Sequence, residues 1–564
     1  MAHERAVKNI SALFLALPLI GAAQFIAANA VSIRASVLFG GVALVCWGAG
    51  LGWVAATKGI FSGLPRRGLA VLIPFAIWML WLSSMPPYFR DDLIIHLAYP
   101  KYLLHAGKWV FIPFQHGTAN PNMLVPLNMV FVAVGMDWAA SFIPAFFSMA
   151  TALLLAHWVA MERGGVWGLF SAAALLTVPI FFRLSTTAYN DPAVMFFSCA
   201  GAFYFCRLVA GDGVMPGVFG AVLFATGSAI KYNAGLLLVM MLAALFFMGR
   251  RVTVRDKVRV LVVATLAVLL SCGPWWLKHA QAGPPPPVAG PAFNGPIQER
   301  MALCGDSALW ALTSPVRIFF EGREGSSCTF DGRLNPLFLV LGLIAPFLVA
   351  RFAGYPFLAV PVFLYMLFSA LSFSITARYF LPILPSMVFL SAAFLAEIAK
   401  RGYLRTAMAV AAAVLTLNMW WYVDSARGFA GWDYLLCKES KEDFLSRSVA
   451  SYRATSFANA HLKKSDTIYF AFTGNQVYYA DTNYYYDSFW DGTTLMRLFK
   501  MSHDGEKICT ELAGMGFTHM VYRRDIMERF VTANRLQPVF ADFSQRCSRT
   551  LYEDNATTLV ALGS

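Results

Sequence analysis

Two neighbouring carboxylates, a histidine and a lysine form the first group in this 564-residue sequence that could carry out chemistry: Asp91, Asp92, His96 and Lys101. A carboxylate within hydrogen-bond reach of a hydroxyl can take its proton as the oxygen attacks an electrophile. Neighbouring helical residues point about 100° apart, so we expect one Asp to act as base while the other caps the helix or holds the first in place. His96, four residues after Asp92, is predicted on the same helical face. Simple helix capping by an aspartate is the alternative explanation.

Three further ionisable residues stand at the ends of apolar segments. Asp191 precedes Pro192, which suits the first turn of a helix, so Asp191 either caps that helix or faces a site. Lys231 and Arg378 have no acidic residue nearby in the sequence. Each could hold a phosphate that rests at a membrane surface, or it could be an anchor whose charged end reaches out of the apolar segment.

The elements that must position these side chains are membrane helices. The sequence is 58% hydrophobic and 13% charged, with a mean hydropathy of +0.59, whereas soluble domains are about 45–50% apolar and ~25% charged. Residues 424–564 hold 33 of the 75 charged side chains, and the other 423 residues contain apolar runs long enough to cross a bilayer. We predict a polytopic α-helical membrane protein with about thirteen transmembrane helices, near 10–30, 36–56, 68–85, 137–161, 164–182, 192–209, 214–231, 234–249, 260–279, 335–350, 355–373, 379–398 and 404–422.

The distribution of charge predicts the orientation. One set of alternate connections holds 16 basic and five acidic residues in short loops, and the other holds 12 basic and nine acidic residues in longer segments. The positive-inside rule puts the first set in the cytoplasm, and an odd number of spans then puts residues 424–564 and all the candidate site residues on the outer face. The excess of basic residues therefore needs no nucleic acid to explain it. Met1–Ala30 also resembles a cleavable signal, whose removal would leave this orientation unchanged.

Three outer segments are large enough to hold chemistry. In 86–136, Leu93–His105 is predicted to be an interfacial helix ended by Gly107, and 122–135 a second interfacial or re-entrant helix. The segment 280–334, which contains Pro284–Pro287, is predicted to be an ordered or mobile loop and not a packed domain. In 424–564, a long helix (439–463), strands at Thr467–Phe472, 518–522 and 557–562, and helices at 504–514 and 525–534 predict a small α/β domain.

The cysteines and acids raise two further expectations. Cys304 with Cys328, and Cys509 with Cys547, lie outside the membrane, where disulfides form, which leaves Cys437 unpaired. No cysteine has the spacing of a zinc site. Asp91, Asp92, Asp191 and His96 could together gather a divalent metal, so a metal cofactor is neither required nor excluded.

The stretch from Asp91 to Tyr102 resembles the first outer loop of bacterial GT-C glycosyltransferases, in which an Asp is followed by Tyr-His-Leu and then Pro-Lys. Asp91, His96 and Pro100-Lys101 match this pattern, whereas Ile95 replaces the Tyr. Later segments resemble the second acidic motif, the lysine segment and the late Arg/Lys-Tyr-Leu-Leu-Pro segment: Tyr189-Asn190-Asp191, Gly227 to Lys231, and Arg378-Tyr379-Phe380-Leu381-Pro382. The wider resemblance is to protein O-mannosyltransferases and aminoarabinose-to-lipid A transferases.

The resemblance implies a GT-C-like catalytic domain in residues 1–423, with outer loops 86–136 and 280–334, and an extracytoplasmic domain in 424–564. It implies a glycosyltransferase that moves a hexose or pentose from a polyprenyl-phosphate donor, with inversion, to a hydroxyl of a lipid, polysaccharide or protein. The location would be the bacterial inner membrane, with the site facing the periplasm. By this resemblance Asp91 is the general base and Asp191 positions the acceptor. Asp92 and His96 support them. The donor phosphate is held by Lys231, Arg378 and Lys101.

Two other functions remain open from the sequence. A transporter or flippase of a lipid-linked sugar would also carry charged groups in its membrane part, but the charges here gather at one face and no matching halves are detected. A transferase of the same architecture could instead use a lipid-diphosphate oligosaccharide or move a phospho-group. Sugar release that depends on the donor would distinguish the enzyme from the transporter.

Overall fold

The computed structural model describes residues 2–57, 59–112, 114–281, 295–345, 355–372, 375–487, 492–502 and 504–563. The chain divides into two compact units, a first unit of Met1–Ser84, Pro121–Leu277 and Phe293–Phe429, and a second unit of Met85–Asn120, Lys278–Ala292 and Ala430–Ser564. The last boundary falls six residues after the predicted one at 423/424. Residues 85–120, which the sequence groups with the membrane domain, pack with the C-terminal residues instead.

The secondary structure is mostly helical. In chain order the helices are α1 (Ala2–Ala30), α2 (Ile33–Thr57), α3 (Arg66–Leu82), α4 (Ala98–Ala106), α5 (Val125–Ala133), α6 (Phe142–Arg163), α7 (Gly165–Leu176), α8 (Pro179–Ser185), α9 (Asp191–Ala210), α10 (Val214–Ser228), α11 (Asn233–Met248), α12 (Val254–Gln281), α13 (Pro296–Cys304), α14 (Ala308–Leu312), α15 (Ser314–Glu321), α16 (Pro336–Leu339), α17 (Pro356–Ser372), α18 (Leu384–Lys400), α19 (Leu404–Arg427), α20 (Trp432–Leu435), α21 (Lys441–Ser448), α22 (Tyr452–His461), α23 (Thr493–Met501), α24 (Gly505–Gly514), α25 (Arg524–Ala533) and α26 (Gln537–Arg546). Single turns of other helix types stand at Asp92–His96 and Val340–Ile344 (π) and at His116–Ala119, Asp137–Ser141, Ser327–Thr329 and Ala377–Ile383 (3-10).

The long apolar helices follow the predicted spans. Among the described residues, seven are long and apolar enough to cross a membrane: Ala2–Ala30, Ile33–Thr57, Asp137–Arg163, Asp191–Ala210, Val254–Gln281, Ala377–Lys400 and Leu404–Arg427. The pair α7 and α8, bent by 72°, and four shorter apolar helices coincide with further predicted spans: Leu72–Leu82, Val214–Ser228, Asn233–Met248 and Pro356–Ser369. The span predicted at 335–350 begins as α16 and a π turn, and its last five residues lie outside the described part of the chain. The number of spans therefore stays a prediction.

Burial separates central helices from helices that face lipid. The most apolar stretch of Ala377–Lys400 is 89% buried, whereas that of α2 is 6% buried although its side chains are equally apolar. Rings of Phe14, Phe147 and Phe196 meet at 5.2–5.6 Å between centroids and join α1, α6 and α9. Helices that are apolar all round and leave those side chains uncovered are expected in a bilayer. The first unit is an integral membrane domain, as predicted.

The second unit contains a five-stranded sheet. Its strands are β1 (Thr467–Ala471), β2 (Asn483–Tyr486), β3 (His519–Arg523), β4 (Ser548–Glu553) and β5 (Thr557–Leu562), in the order β2-β1-β3-β5-β4. β1 is parallel to β2 and β3, and β5 is antiparallel to β3 and β4. This confirms the predicted α/β domain and its three predicted strands, to which the structure adds β2 and β4. The single helix predicted at 439–463 was wrong, because Val449 is extended and separates α21 from α22.

Both predicted disulfides are present, Cys304–Cys328 and Cys509–Cys547, with Cα separations of 5.4 and 5.8 Å. Cys437 is free and exposed. The first disulfide closes a segment in which α13, α14 and α15 form an ordered structure, so the described part of the predicted 280–334 loop is not irregular. Pro284–Pro287 lie outside the described residues.

Candidate active site

An ion pair joins two of the predicted site residues of the membrane domain. The ammonium Nζ of Lys231 donates to Oδ1 of Asp191 at 2.7 Å. The Asp191 side chain is 5% exposed and that of Lys231 is 27% exposed, so the carboxylate is buried and the ammonium still reaches solvent. The alternative in which this carboxylate caps α9 is not observed, since the preceding residue Asn190 is the N-cap and makes no side-chain capping bond. Asp191 instead holds a cation.

A close approach of three helices brings this pair together. Lys231 lies in the short connection between α10 and α11, where its backbone N–H donates to Gly227 O at 3.0 Å. A Cβ at position 227 would come within 2.9 Å of the Ala234 Cβ and 3.0 Å of the Phe197 Cβ. Only glycine therefore lets α10 pack this closely against both α9 and α11. The glycine and lysine recognised in the sequence thus work together, the first setting the packing and the second reaching Asp191 at the start of α9.

One aromatic ring contacts two of the three predicted phosphate-binding cations, Lys231 and Arg378. The Lys231 Nζ lies 4.9 Å from the centroid of the Tyr379 ring, and the Arg378 Cζ lies 5.2 Å from it. Cations at this distance over an aromatic ring are attracted by its quadrupole. The Tyr379 carbonyl in turn accepts a hydrogen bond of 2.9 Å from the hydroxyl of buried Tyr365. The 3-10 turn Ala377–Ile383 is thereby fixed so that two positive charges approach one ring.

Asp91, Asp92 and His96 lie in the second unit, around a π turn. Leu97 N–H donates to Asp92 O at 3.0 Å, five residues back, which replaces the α-helical turn that the sequence predicts. Asp92 is 2% exposed and His96 is buried, whereas Asp91 is half-buried. Asp91 makes no helix-capping bond. Of the two carboxylates, Asp91 is therefore the one that a substrate can reach, and a π turn at such a position is often a mark of a functional site.

The π turn is fastened to the C-terminal residues of its unit. The Leu93 carbonyl accepts N–H bonds from Val477 and Tyr478 at 3.2 and 3.1 Å, and the Tyr479 hydroxyl donates to Pro87 O at 2.6 Å. Helix α4 follows, and Gly107, in the left-handed conformation, ends it as predicted. The C-terminal domain thus holds in place the segment that carries Asp91.

Lys101 has a different partner from the one the sequence predicts. Its ammonium donates to the Asp481 carboxylate at 2.7 Å and to Tyr478 O at 2.9 Å. Both partners belong to the same unit as Lys101. This lysine joins α4 to the loop before β2, so its charge is balanced without a donor phosphate.

The arrangement offers no evident metal centre. Among the residues that the structure describes, no three His, Cys, Asp or Glu side chains come together as a bound metal ion would require. The metal considered from Asp91, Asp92, Asp191 and His96 therefore gains no support from these residues.

An apolar groove of about 480 Å³ begins at Ser228 and Tyr232, on either side of Lys231 in the sequence. It runs between α11 and α12, and its walls are largely aliphatic side chains such as Leu238, Leu242, Leu261 and Leu269. At one end lies Tyr232, whose hydroxyl accepts a 3.0 Å hydrogen bond from the Trp276 indole N–H. From position 232 to 242, α11 rises about 15 Å. The groove is suited to an extended hydrocarbon chain whose polar end lies near Lys231.

Sequence reasoning missed the contacts that organise these cations. Tyr379 stands in a segment singled out in the sequence, but nothing there indicates that it meets Lys231, almost 150 positions earlier. The Tyr232–Trp276 pair gave no signal either, because isolated aromatic residues are common at the ends of membrane helices.

Comparisons with known proteins agree with this architecture. Residues 127–277 match the family described as dolichyl-phosphate-mannose-protein mannosyltransferase. Over 88% of this chain and 98% of the other, the fold is similar to that of ArnT from Cupriavidus metallidurans bound to undecaprenyl phosphate, with a TM-score of 0.53 and 14% identity. The apo state of the same ArnT gives a TM-score of 0.52 and 13% identity, over 91% and 98% of the two chains. The fold is therefore similar to that of GT-C membrane glycosyltransferases, and the match to the mannosyltransferase family covers residues 127–277.

A second GT-C structure shares the fold. The archaeal oligosaccharyltransferase AglB from Archaeoglobus fulgidus, solved in complex with an inhibitory peptide and a dolichol-phosphate, gives a TM-score of 0.53 and 11% identity over 88% of this chain and 74% of that one. No curated protein sequence matches this chain. The likeness is thus one of fold, and the substrates must be argued from the residues of this chain.

Proposed function

We propose that this GT-C protein transfers a sugar from a polyprenyl-phosphate donor to an acceptor hydroxyl at the outer, periplasmic face of the bacterial inner membrane. The observation that carries the proposal is the pair of cations, Lys231 and Arg378, on the ring of Tyr379, with an apolar groove beginning at the residue after Lys231. A lipid phosphate needs both features, since its head is an anion and its tail is hydrocarbon. The neighbouring folds solved with undecaprenyl phosphate and dolichol-phosphate support a ligand of this class.

The reaction follows from the donor. The acceptor oxygen attacks the anomeric carbon and loses its proton to a carboxylate, while the bond from that carbon to the phosphate oxygen breaks and its electron pair leaves with the lipid phosphate. Cations at the phosphate stabilise the charge that develops there, so the leaving group needs no acid. A single displacement inverts the anomeric centre. Asp91 is the proposed base because it is the more exposed of the two adjacent carboxylates.

The other predicted residues take supporting parts. The backbone before and after Asp91 is hydrogen-bonded to the C-terminal residues of the second unit, at Pro87 and Leu93. Asp92 and His96 next to it are buried. Asp191, which the sequence predicts to position the acceptor, is assigned first to orienting Lys231, since the two are hydrogen-bonded. Lys101 is assigned to the structure of the second unit, because Asp481 holds it. The proposed acceptor is a hydroxyl-bearing lipid, polysaccharide or protein.

The test is reconstitution of purified protein in liposomes with radiolabelled polyprenyl-phosphate hexose and pentose donors and an extract of envelope acceptors. Formation of free polyprenyl phosphate together with labelled acceptor supports the proposal, and the Asp91→Asn protein serves as the inactive control. Passage of intact lipid-linked sugar across the bilayer without release would identify a flippase instead. Transfer from lipid-diphosphate oligosaccharides alone would replace the proposed donor class.

A further inference from the structure

A stripe of exposed apolar side chains follows the disulfide-closed segment of the membrane domain. Leu309, Leu312, Val316 and Phe320 recur at intervals of three and four residues along α14 and α15, and all are exposed, Leu309 by 75% and Phe320 by 64%. Such spacing places side chains on one face of a helix. The connection at Thr313 keeps helical hydrogen bonds, Thr313 N to Leu309 O and Arg317 N to Thr313 O, so the four side chains form one surface, called here the 309–320 stripe.

The stripe is exposed although the segment is firmly folded. On the opposite face Ala311, Ile318 and Phe319 are buried. The Cys304–Cys328 disulfide joins the two ends of the segment 304–328, called here the disulfide-closed segment. Asp306 accepts hydrogen bonds from Arg300 and Arg317 at 2.8 and 3.1 Å. A rigid helix that leaves four large apolar side chains uncovered requires a partner, because contiguous apolar surface is unusual in contact with water.

The position of the stripe in the membrane domain indicates which partner. Phe319, on the buried face of α15, packs edge-on against Phe380 with ring centroids 6.2 Å apart. Phe380 lies in the first turn of the candidate span Ala377–Lys400, so α15 sits at the end of a membrane-spanning helix. Further along the chain, Asn335 is buried and donates to the Asn418 side chain of α19 at 2.8 Å. The stripe is therefore held at the level where the spans leave the bilayer.

We propose that the 309–320 stripe lies in the surface of the membrane, with its apolar side chains among the acyl chains next to the head groups. Helices that lie in an interface have an apolar face of Leu, Phe and Trp beside a charged face. Trp310, half exposed next to the stripe, has the Arg317 guanidinium 4.2 Å from its ring, and tryptophan is enriched at membrane–water interfaces. Because the stripe lies apart from the reacting groups, this contact does not depend on the proposed sugar transfer.

The residues that follow Cys328 contact the turn that carries Arg378. The Phe330 carbonyl accepts from Ala377 N–H at 2.7 Å, immediately before Arg378. The guanidinium of Arg183 binds both the carboxylate and the carbonyl of Asp331, at 3.1 and 2.9 Å. Phe330 and Asp331, just after the disulfide-closed segment 304–328, thus attach that segment to α8 and to the turn of Arg378 and Tyr379.

The experiment places the photoreactive residue p-benzoylphenylalanine singly at positions 309, 312, 316 and 320 of the full-length protein in liposomes of phosphatidylethanolamine and phosphatidylglycerol. Ser327, exposed in the same segment, is the matched control position. After irradiation, mass spectrometry of the peptides should find lipid adducts at the four stripe positions at least fivefold above the control. Equal yields at Ser327, or adducts to a second copy of the chain, would overturn the proposal. Since each position is exposed, the intact Cys304–Cys328 disulfide in each variant shows that the segment has folded.

Discussion

Lys231 donates to the Asp191 carboxylate at 2.7 Å, so this cation, predicted to bind the donor, already has an anionic partner within the protein. The two residues are forty positions apart, Asp191 at the start of α9 and Lys231 in the connection between α10 and α11. Asp191 neutralises the ammonium and also aims it, because a lysine side chain has many rotamers when it is unpaired. Because the Lys231 side chain is partly exposed, its ammonium can also contact a second anion.

The first prediction concerns this pair. Lys231→Met leaves the buried Asp191 carboxylate without its cation and should cost about 3 kcal/mol of stability, as the loss of one partner from a buried pair does. The Asp191→Asn/Lys231→Met double variant should lose less than the two single losses added together, with a coupling of about 1–3 kcal/mol. Unfolding in denaturant, measured for all four proteins, gives the cycle. The matched control is the exposed pair Asp256 and Arg259, for which the coupling should be at most about 1 kcal/mol. Equal coupling in both cycles would contradict the conclusion that Asp191 and Lys231 form a buried, coupled ion pair.

The second prediction concerns Asp91. If Asp91 is the general base, Asp91→Asn should lower kcat by about 10²- to 10⁴-fold and leave the melting temperature unchanged, because the side chain is half-buried. Asp92→Asn is the matched variant. Since Asp92 is 2% exposed, its replacement should lower the melting temperature more than that of Asp91. Full turnover by the Asp91→Asn protein would transfer the role of base to another carboxylate.

The third prediction separates phosphate binding from membrane anchoring. Arg378→Met removes one charge-assisted contact to the donor phosphate. This should cost about 1.5–3 kcal/mol, which lowers kcat/KM for the donor by roughly 10- to 150-fold. Because charge builds up on the phosphate as the bond breaks, part of this loss should appear in kcat at saturating donor. Arg378→Lys should recover only part of the rate, since lysine lacks the planar fork. Arg333, which pairs with Asp424 in the same domain, is the control, and Arg333→Met should change the rate less than twofold. Similar rates for both Met variants would make Arg378 an anchor.

The fourth prediction concerns the ring that both cations contact. Tyr379→Phe keeps the aromatic face, so turnover and KM for the donor should stay within a few-fold of wild type. Tyr379→Leu removes the face and should weaken donor binding by the value of one or two cation–π contacts, about 0.5–2 kcal/mol, or roughly 2- to 30-fold. Steady-state kinetics with the two variants side by side give the comparison. Equal losses in both would show that the hydroxyl, and not the ring, is what matters.

The architecture of the membrane part could be predicted because it depends on local composition. A run of apolar residues about as long as a bilayer is thick favours a spanning helix, and within the described residues most of the predicted spans coincide with helices. Short edge strands gave no such signal. The strand Asn483–Tyr486 has four residues without alternation of polar and apolar side chains, and Ser548–Glu553 is largely uncovered. Their place in the sheet comes from pairing with β1 and β5.

The sequence suggests candidate site residues but not the partners that they have in the structure. Asp191, Lys231 and Arg378 were recognised by type and by position at the ends of apolar segments. The partners Asp481 for Lys101 and Asp191 for Lys231 depend on which helices pack together, and the packing depends on details such as the room left at Gly227. The π turn at Asp92–His96 was missed because its extra residue per turn responds to hydrogen bonds from Val477 and Tyr478, far away in the sequence.

The last prediction concerns pH and the disulfide-closed segment beneath the 309–320 stripe. Burial by itself raises the pKa of Asp306, but the hydrogen bonds and charges of Arg300 and Arg317 outweigh it, and the pKa lies below the usual 3.8. Because this folded-state pKa is depressed, the carboxylate contributes stability that is fully present above the unfolded pKa and is lost as the pH falls through the lower, folded value.

Reduction of the Cys304–Cys328 bond by a phosphine from pH 7 to pH 3, followed by alkylation and peptide mapping, measures the opening of this segment. Wild type should be reduced more slowly than Asp306→Asn at pH 5 to 7, because only the charged carboxylate holds both arginines. The two rates should converge as the pH falls below 3.8. Cys509–Cys547 in the same sample is an internal reference, since its reduction should not respond to Asp306→Asn. A constant difference between the two proteins down to pH 3 would mean that Asp306 stabilises the segment by packing and not through its charge.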